Sequence, residues 1–296
     1  MSQLFATLVA GLAQAMPLFL AASGLTLIFG VMHVLNFAHG AFFMIGAYML
    51  TTLLGGGSVP FGLMLGAALL AAIVAGAVGG VSEVLAIRRL YDREHFITLL
   101  ATFALLLVIQ GAIQKIWGVQ PRSQQLSPAL TGAVEILGAR LPRYDLFLIA
   151  SGGLVAVGLY LLLNRTRFGR TLRAVAEDYT MARAVGVSAR RLQIAVFAIG
   201  TALAGLAGAL SAPLMRIDLS LAHAFVLQSF AVVIVGGLGS LTGALTGALL
   251  IGMAESALVS YAPGFAGFSL YFAVALALLF RPQGLFGRRT NILGAA

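Results

Sequence analysis

Long apolar stretches separated by short breaks fill most of this chain, and they limit its fold more than any other feature. Charged residues or Gly and Pro bound each stretch, and only 9 % of the 296 residues are charged. The stretches cover residues 6–30, 38–54, 61–86, 97–117, 145–163, 193–215, 223–238, 241–261 and 266–280. About 20 apolar residues in a helix cross the hydrocarbon core of a bilayer. The sequence therefore predicts an all-α fold, a polytopic bundle of about eight or nine transmembrane helices.

The basic residues are clustered, and the clusters predict how the chain is oriented. Three segments, 88–93, 165–191 and 281–289, hold 13 of the 18 Lys and Arg residues. Cytoplasmic loops carry an excess of Lys and Arg, so we expect these segments on the cytoplasmic side. Counting spans from them places the N-terminus outside, the C-terminus in the cytoplasm, and a periplasmic loop at 118–143.

Two parts of this topology have alternatives. The run 223–261 crosses the membrane twice with a turn at 236–240, or it forms a re-entrant hairpin that leaves about eight full spans. The first five residues carry no Lys or Arg, which a secretory signal would have. We therefore expect residues 6–30 to remain as the first helix. Residues 1–296 then form a single transmembrane domain.

Composition excludes several classes of function. The spans leave only short loops, so a separate soluble domain does not fit, and the chain has no G-x-x-x-x-G-K-[ST] phosphate loop. It has no Cys and four His, which argues against thiol chemistry and a conventional metal site. The net charge is +9, and the basic residues that cause it lie between apolar runs. This placement indicates a role in membrane topology and lipid contact rather than nucleic-acid binding. We expect no catalytic residue, metal, cofactor or nucleic-acid partner.

The basic segment at 164–192 is the strongest functional feature. It holds seven Arg against two acids and is too long for a simple turn. A short helix is predicted over 173–181, followed by a stop at Gly186 and a second helix that begins after Ser188. Such a helix at the cytoplasmic face is suited to dock into a groove on an ATPase and pass its movement to the spans. Alternatively, the arginines only hold anionic lipid and fix topology.

Several motifs occur together in an order that resembles one known family. They are Gly24-Leu25-Thr26, Asn36-Phe37-Ala38-His39-Gly40, Gly169-Arg170, the run from Arg173 to Asp178, Met181-Ala182, Gly186-Val187, the run from Gly236 to Ser240, and the run from Arg281 to Arg288. The combination covers nearly the whole chain and resembles bacterial branched-chain amino acid ABC-transporter permeases of the LivH type. It implies a type II-like importer permease for leucine, isoleucine and valine or similar small polar solutes.

The resemblance also implies partners and a location. They are a second related permease, two cytoplasmic ABC ATPases that hydrolyse ATP, and a periplasmic substrate-binding protein, around a multi-pass subunit of the bacterial inner membrane. This chain would then perform no chemistry itself. Segment 164–192 would be its coupling loop, with contacts from Arg173, Ala176, Glu177, Asp178, Ala182 and Gly186.

One departure from the family bears on the solute. Many relatives carry a Glu directly after the Asn-Phe-Ala-His-Gly motif, where this chain has Ala41. Some members of the family carry urea or short amides, and a fold alone does not select the ligand. An importer of urea or short amides therefore stays open as an alternative.

Polar side chains inside the apolar runs are the candidates for the translocation path, because such groups are costly at membrane depth unless they are paired or face water. Asn36 and His39 follow the break at Gly30, where they line the path or satisfy backbone groups that the break has freed. Gln110 lies one helical turn from Gln114 and points into the cavity or toward the outside loop.

Two acids lie within or beside apolar runs. Glu255 serves as a proton relay, or it forms structural hydrogen bonds with Ser256 or with another helix. The relay would make the chain a stand-alone secondary transporter, in which the basic segment only anchors topology. Glu83 lies near the inner face and is expected to form an ion pair with Arg88.

Overall fold

The computed structural model describes residues 2–91 and 93–287, with His95 described by its backbone alone. Each predicted apolar stretch is helical, and further helices lie in the basic segment. The helices are α1 Ser2–Met32, α2 His39–Leu54, α3 Phe61–Leu85, α4 His95–Trp117, α5 Arg143–Arg165, α6 Arg167–Glu177, α7 Tyr179–Ala184, α8 Ala189–Ser211, α9 Leu221–Gly236, α10 Leu241–Tyr261 and α11 Ser269–Phe280. Arg288 and Arg289 of the third basic cluster lie outside the described residues.

Six helices in the described part of the chain are long and apolar enough to cross a membrane: α1, α3, α4, α5, α8 and α10. Three further apolar helices are shorter, since α2 and α9 have 16 residues each and α11 has 12. A helix rises 1.5 Å per residue, so about 20 residues are needed for a 30 Å core. The six long helices therefore set a lower number of candidate spans than the eight or nine predicted.

The apolar helices alternate in direction, so the bundle has two distinct ends. At one end, the Tyr144 hydroxyl at the start of α5 donates to the Leu210 carbonyl oxygen near the end of α8, 2.6 Å away. At the other end, the Tyr91 hydroxyl contacts the Met32 sulfur at the end of α1, 3.3 Å away. We call these the hairpin end, because a β-hairpin directly precedes α5 there, and the arginine end, because the basic segment 165–191 lies there.

A β-hairpin breaks the all-α expectation within the loop 118–143. Strand β1 spans Ala133–Ile136 and pairs antiparallel with β2, Ala139–Pro142. Leu137 and Gly138 between them have φ values of 53° and 74°. A two-residue hairpin turn of type I′ requires positive φ at both positions. The dipeptide Leu-Gly is not among the usual signals for that turn, so the sequence did not indicate the strands. Ala139 and Leu141 pack against Val9, which attaches the hairpin to α1.

The core is formed where α1, α2, α3 and α8 cross at close range. A Cβ atom added to Gly24 of α1 would collide with the Gly200 carbonyl oxygen of α8, and one at Gly46 of α2 would collide with that of Gly205. Small residues at crossings allow backbones to approach, which favours packing between helices in lipid. Gly62 and Gly66 of α3 lie four residues apart, as do Gly243 and Gly247 of α10. A Cβ at Gly62 or Gly66 would have no neighbour within 4 Å, whereas one at Gly243 or Gly247 would collide with the backbone of α9.

Candidate functional site

A polar cavity of about 620 Å³ lies near the hairpin end, between α1, α5, α9, α10 and α11. Its carboxyl and amide groups come from separate helices: Gln14 of α1, Asp145 of α5, Gln228 of α9 and Glu255 of α10. Leu148, Phe225 and Ile251 contribute apolar surface. A concave site with mainly apolar walls and a few convergent polar groups is typical of a small-molecule site.

Glu255 is the one sequence-predicted path residue that lines this cavity. Its carboxylate accepts a hydrogen bond from the Gly267 backbone N–H at 2.8 Å and another from the Ser269 hydroxyl. These contacts join α10 to the turn and first residue of α11. Of the two partners left open by the sequence, the structure has another helix, since the Ser256 hydroxyl donates to the Thr7 carbonyl oxygen of α1, 2.8 Å away.

Three cavity residues were missed by the sequence analysis. Gln14 and Gln228 lie within apolar runs, so the criterion that singled out Glu255 would also have found them. Asp145 was assigned to the edge of a span, where a charge needs no special explanation. Its convergence with the other three could not be read from the sequence, because it depends on how α5 packs beside α1.

Asn36 and His39 lie together at the arginine end, where the chain enters α2. The Asn36 side-chain oxygen accepts from the Ala38 N–H at 3.1 Å, and His39 Nε2 lies 2.8 Å from the Ala21 carbonyl oxygen. Both side chains are buried, and Asn36 Nδ2 and His39 Nδ1 have no hydrogen-bond partner among the described residues. The two residues therefore hold the start of α2 against the middle of α1, and neither lines the polar cavity.

Gln110 points toward the segment between α8 and α9 at the hairpin end. Its side-chain nitrogen donates to the Leu219 carbonyl oxygen at 3.2 Å. Gln114, one turn further along α4, is exposed. Of the two orientations left open by the sequence, the structure has the one toward a loop, the segment between α8 and α9, and Gln110 does not line the polar cavity.

The basic segment folds into two short helices rather than the single predicted one. The predicted helix over 173–181 is interrupted at Asp178, which ends α6 and begins α7. The Asp178 carboxylate accepts from the Met181 backbone N–H at 2.8 Å, as an N-cap does. Gly186 has φ 87° at the predicted stop. Ser188 precedes α8 as expected, but its side chain makes no capping hydrogen bond.

One face of this helix pair is buried against the bundle. Leu172, Val175 and Ala182 form an apolar cluster with Leu27 of α1 and Val196 of α8. Ala182 is only 4 % exposed. The cluster connects the helix pair directly to two central helices, α1 and α8.

The opposite face is open and partly apolar. Met181 is 61 % exposed and Val185 is 73 % exposed. Met181 and Val185 were not among the predicted contact residues; of those that were, Arg173 and Glu177 are exposed and Ala176 is half-buried. These exposed side chains form a surface on which another protein can bind, since exposed apolar groups framed by charges mark interaction sites.

A buried ion pair lies beside the helix pair at the arginine end. The Arg88 guanidinium donates to the Glu83 carboxylate at 2.8 Å, and the Tyr91 hydroxyl donates to the same carboxylate at 3.0 Å. Glu83 is fully buried, so its charge needs these partners. Burial and the neighbouring Glu83 raise the pKa of Tyr91, which keeps its hydroxyl protonated as a donor. The expected Glu83–Arg88 pair is confirmed.

Nothing in the described part of the chain resembles a metal centre. Groups of three His, Asp or Glu side chains close enough to ligate one ion do not occur among these residues.

Comparison with known proteins supplies the family. The family model described as "Branched-chain amino acid transport system / permease component" matches residues 7–280. The chain is 30 % identical to the "High-affinity branched-chain amino acid transport system permease protein BraD" of Pseudomonas aeruginosa, with 95 % of each chain covered. It is 32 % identical to the "Probable branched-chain amino acid transport permease protein LivH" of Methanocaldococcus jannaschii, covering 91 % of this chain and 88 % of that one.

Part of the chain also matches a further permease protein. The "High-affinity branched-chain amino acid transport system permease protein LivM" of Escherichia coli is 30 % identical over 136 residues, which cover 45 % of this chain and 32 % of LivM. The family model spans most of the apolar helices and the whole basic segment described above. The chain therefore belongs to the family of permease components of branched-chain amino acid transport systems.

Proposed function

We propose that this chain is a permease subunit of an ABC importer and forms the translocation path for branched-chain amino acids or similar small polar solutes. The observation that carries the proposal is the family match over 7–280, which includes the helix pair α6–α7. A bundle of apolar helices with a docking element at one end is what a transporter driven by a separate ATPase needs. Urea or short amides are the alternative solutes.

In this proposal the arginine end faces the cytoplasm. The alternation of the apolar helices and the clusters of Arg at one end support this orientation, since basic residues are retained on the cytoplasmic side. The N-terminus is then outside and the C-terminus inside. The six long helices and the three short ones, α2, α9 and α11, together give the eight or nine spans. The short helices have fewer than the roughly 20 residues of a full span. The membrane is the bacterial inner membrane.

The helix pair acts as the coupling loop. Its exposed face, with Arg173, Glu177, Met181 and Val185, contacts the ATPase. Its buried face, with Ala182, transmits the movement to α1 and α8. The break at Asp178 and the turn at Gly186 shape the contact surface, and Ala176 lies between the two faces.

The polar cavity is the outer part of the translocation path. Its carboxylates and amides can hydrogen-bond an ammonium or carboxylate group, while Leu148 and Ile251 accept an apolar side chain. Asn36, His39 and Gln110 support the path by fixing the connections at its two ends. Solute binding in the cavity is weak, so that solute delivered by a binding protein is released inside.

The working complex contains further chains. A second permease is supported by the partial match to LivM, whose name assigns it to the same kind of transport system. Two ATPases supply the energy, and a periplasmic binding protein supplies most of the selectivity. Anionic lipid surrounds the arginine end.

Replacing Glu255 by Gln tests this function against a proton-coupled carrier. Gln can still accept from the Gly267 N–H and donate to Ser269, so we expect a loss of stability of about 1 kcal/mol. Leucine uptake by cells that carry the whole transport system should remain dependent on ATP and insensitive to a protonophore. Glu94→Gln, at an exposed carboxylate, is the matched control. Uptake that is driven by a proton gradient in the wild type and lost in Glu255→Gln would establish the carrier instead.

A further inference from the structure

A cationic pocket of about 590 Å³ lies at the arginine end and is separate from the polar cavity. Arg88, Arg183 and Arg190 line it, together with polar groups of Tyr91, Ser188 and Gln193. The pocket opens between the end of α1, the segment after α3, the helix pair and the start of α8.

The positive charge of this pocket exceeds its compensation among the described residues. Arg88 is paired with Glu83, and this is the one ion pair between side chains in the described part of the chain. The Arg183 guanidinium lies over the Tyr179 ring, 5.7 Å from its centroid, which orients the charge without neutralising it. Arg183 and Arg190 thus add two positive charges to a pocket whose lining contains no acid. Such a pocket favours a phosphate group.

An apolar groove of about 680 Å³ lies between α3 and α8, and α8 also contributes to the pocket. Its lining comes from α3, where it includes Ile73, Ala77 and Val81, and from α8, where it includes Ile194 and Ala198. Small residues form much of the floor, since a Cβ at Gly76 would come within 2.9 Å of the Ala198 carbonyl oxygen. The groove is deep because these two backbones approach closely.

The pocket and the groove are neighbours where α3 ends and α8 begins. Ile194 in the groove lies one helical turn after Arg190 in the pocket, and Leu85 in the groove lies three residues before Arg88. The change from exposed apolar residues to arginines marks the level of lipid headgroups. A ligand that fills both parts needs an anionic head and a long apolar tail.

From this juxtaposition we propose that the α3–α8 groove and the Arg88–Arg183–Arg190 pocket together form a binding site for one anionic phospholipid. The phosphate lies among the arginines, and an acyl chain lies in the groove. Because Arg183 and Ser188 belong to the segment that contains the helix pair, the bound lipid connects that segment to α3. The site does not depend on which solute the chain carries.

Native mass spectrometry of the intact transport complex, purified in detergent and depleted of lipid, tests the site. The complex is titrated with phosphatidylglycerol and with phosphatidylcholine of the same acyl chains. We expect tighter binding of phosphatidylglycerol, and a loss of about fivefold in its affinity in Arg190→Gln. Arg190→Lys should restore most of the affinity. Arg89→Gln, at an exposed neighbour outside the pocket, should bind like the wild type.

The groove is tested separately by Ala77→Phe, which fills it and should weaken the binding of both lipids. Ala104→Phe on the exposed face of α4 is the matched control. Equal binding of the two lipids, or equal behaviour of Arg190→Gln and Arg89→Gln, would overturn the proposal. Displacement of phosphatidylglycerol by millimolar inorganic phosphate alone would assign the pocket to a soluble anion.

A competing occupant of the groove is a helix of a second permease. The chain has no Cys, so a single Ala77→Cys variant gives a specific cross-linking site. Labelling of this cysteine by a lipid-soluble maleimide would show that the groove faces lipid. Together with the absence of a cross-link to another permease, it would support a lipid as the occupant of the groove. A cross-link to a second permease chain would refute it.

Discussion

Replacing Met181 or Val185 by Asp should abolish ATP-driven uptake while the permease still inserts and folds. Both side chains are largely exposed, at 61 % and 73 %, so the new charges remain hydrated and cost the fold little. In the complex the same charges would be buried against the ATPase. Loss of an interface anchor costs about 2 kcal/mol or more, which is a factor of about 30 in affinity. Uptake of leucine and the ATPase retained after affinity purification are the two measurements.

The control variants separate docking from folding. Met181→Leu and Val185→Leu keep an apolar surface and should retain uptake. Ala182→Asp should lose uptake for a different reason, because its charge would be buried in the cluster with Leu27 and Val196. Its thermal unfolding temperature should fall, whereas that of Val185→Asp should not. Normal uptake and normal ATPase retention in Met181→Asp and Val185→Asp would remove the helix pair from the coupling mechanism.

The difference between these variants depends on an arrangement that the sequence indicated only in outline. The excess of Arg, the stop at Gly186 and the start after Ser188 located the segment correctly. The interruption at Asp178 was missed, because an Asp inside an apolar helical pattern is compatible both with a continuous helix and with an N-cap. Which face is buried depends on contacts with α1 and α8, which are far away in the sequence.

The helices and the cavity differ in how far the sequence predicted them. Each apolar stretch became a helix because hydrophobic length is a local property that a single chain segment carries. The cavity depends on the approach of several helices, so only Glu255 was identified before the structure. The β-hairpin was missed because its turn uses Leu137 and Gly138 rather than a standard turn dipeptide.

The contacts of glycines between helices could not be predicted from their spacing in the sequence. Gly62 and Gly66 have the four-residue spacing that favours close packing of helices, yet a Cβ at either position would have no neighbour within 4 Å. Gly46 has no such spacing partner in the sequence, and it lies where α2 crosses α8 against the Gly205 backbone. Spacing reports which residues share a helix face, but the helix opposite that face is decided by the whole bundle.

Gly46→Leu should therefore prevent the bundle from packing. Its side chain would collide with the Gly205 carbonyl oxygen, and α8 cannot move away because a Cβ at Gly205 itself would collide with Ala75 of α3. Overpacking of this kind costs about 3 kcal/mol, a large share of a stability of about 5–15 kcal/mol. We expect little monodisperse protein in size-exclusion chromatography, and a smaller loss for Gly46→Ala.

Gly158→Leu is the matched control because the environment of Gly158 is open. It lies in α5, is exposed, and a Cβ there would have no neighbour within 4 Å. Replacing Gly in a helix removes a penalty of about 1 kcal/mol, so this variant should unfold at the same or a higher temperature than the wild type. If Gly46→Leu and Gly158→Leu were equally stable, α2 and α8 would not cross at Gly46. That result would not bear on the apolar cluster that holds the helix pair, since the cluster is formed with α1 and α8 and not with α2.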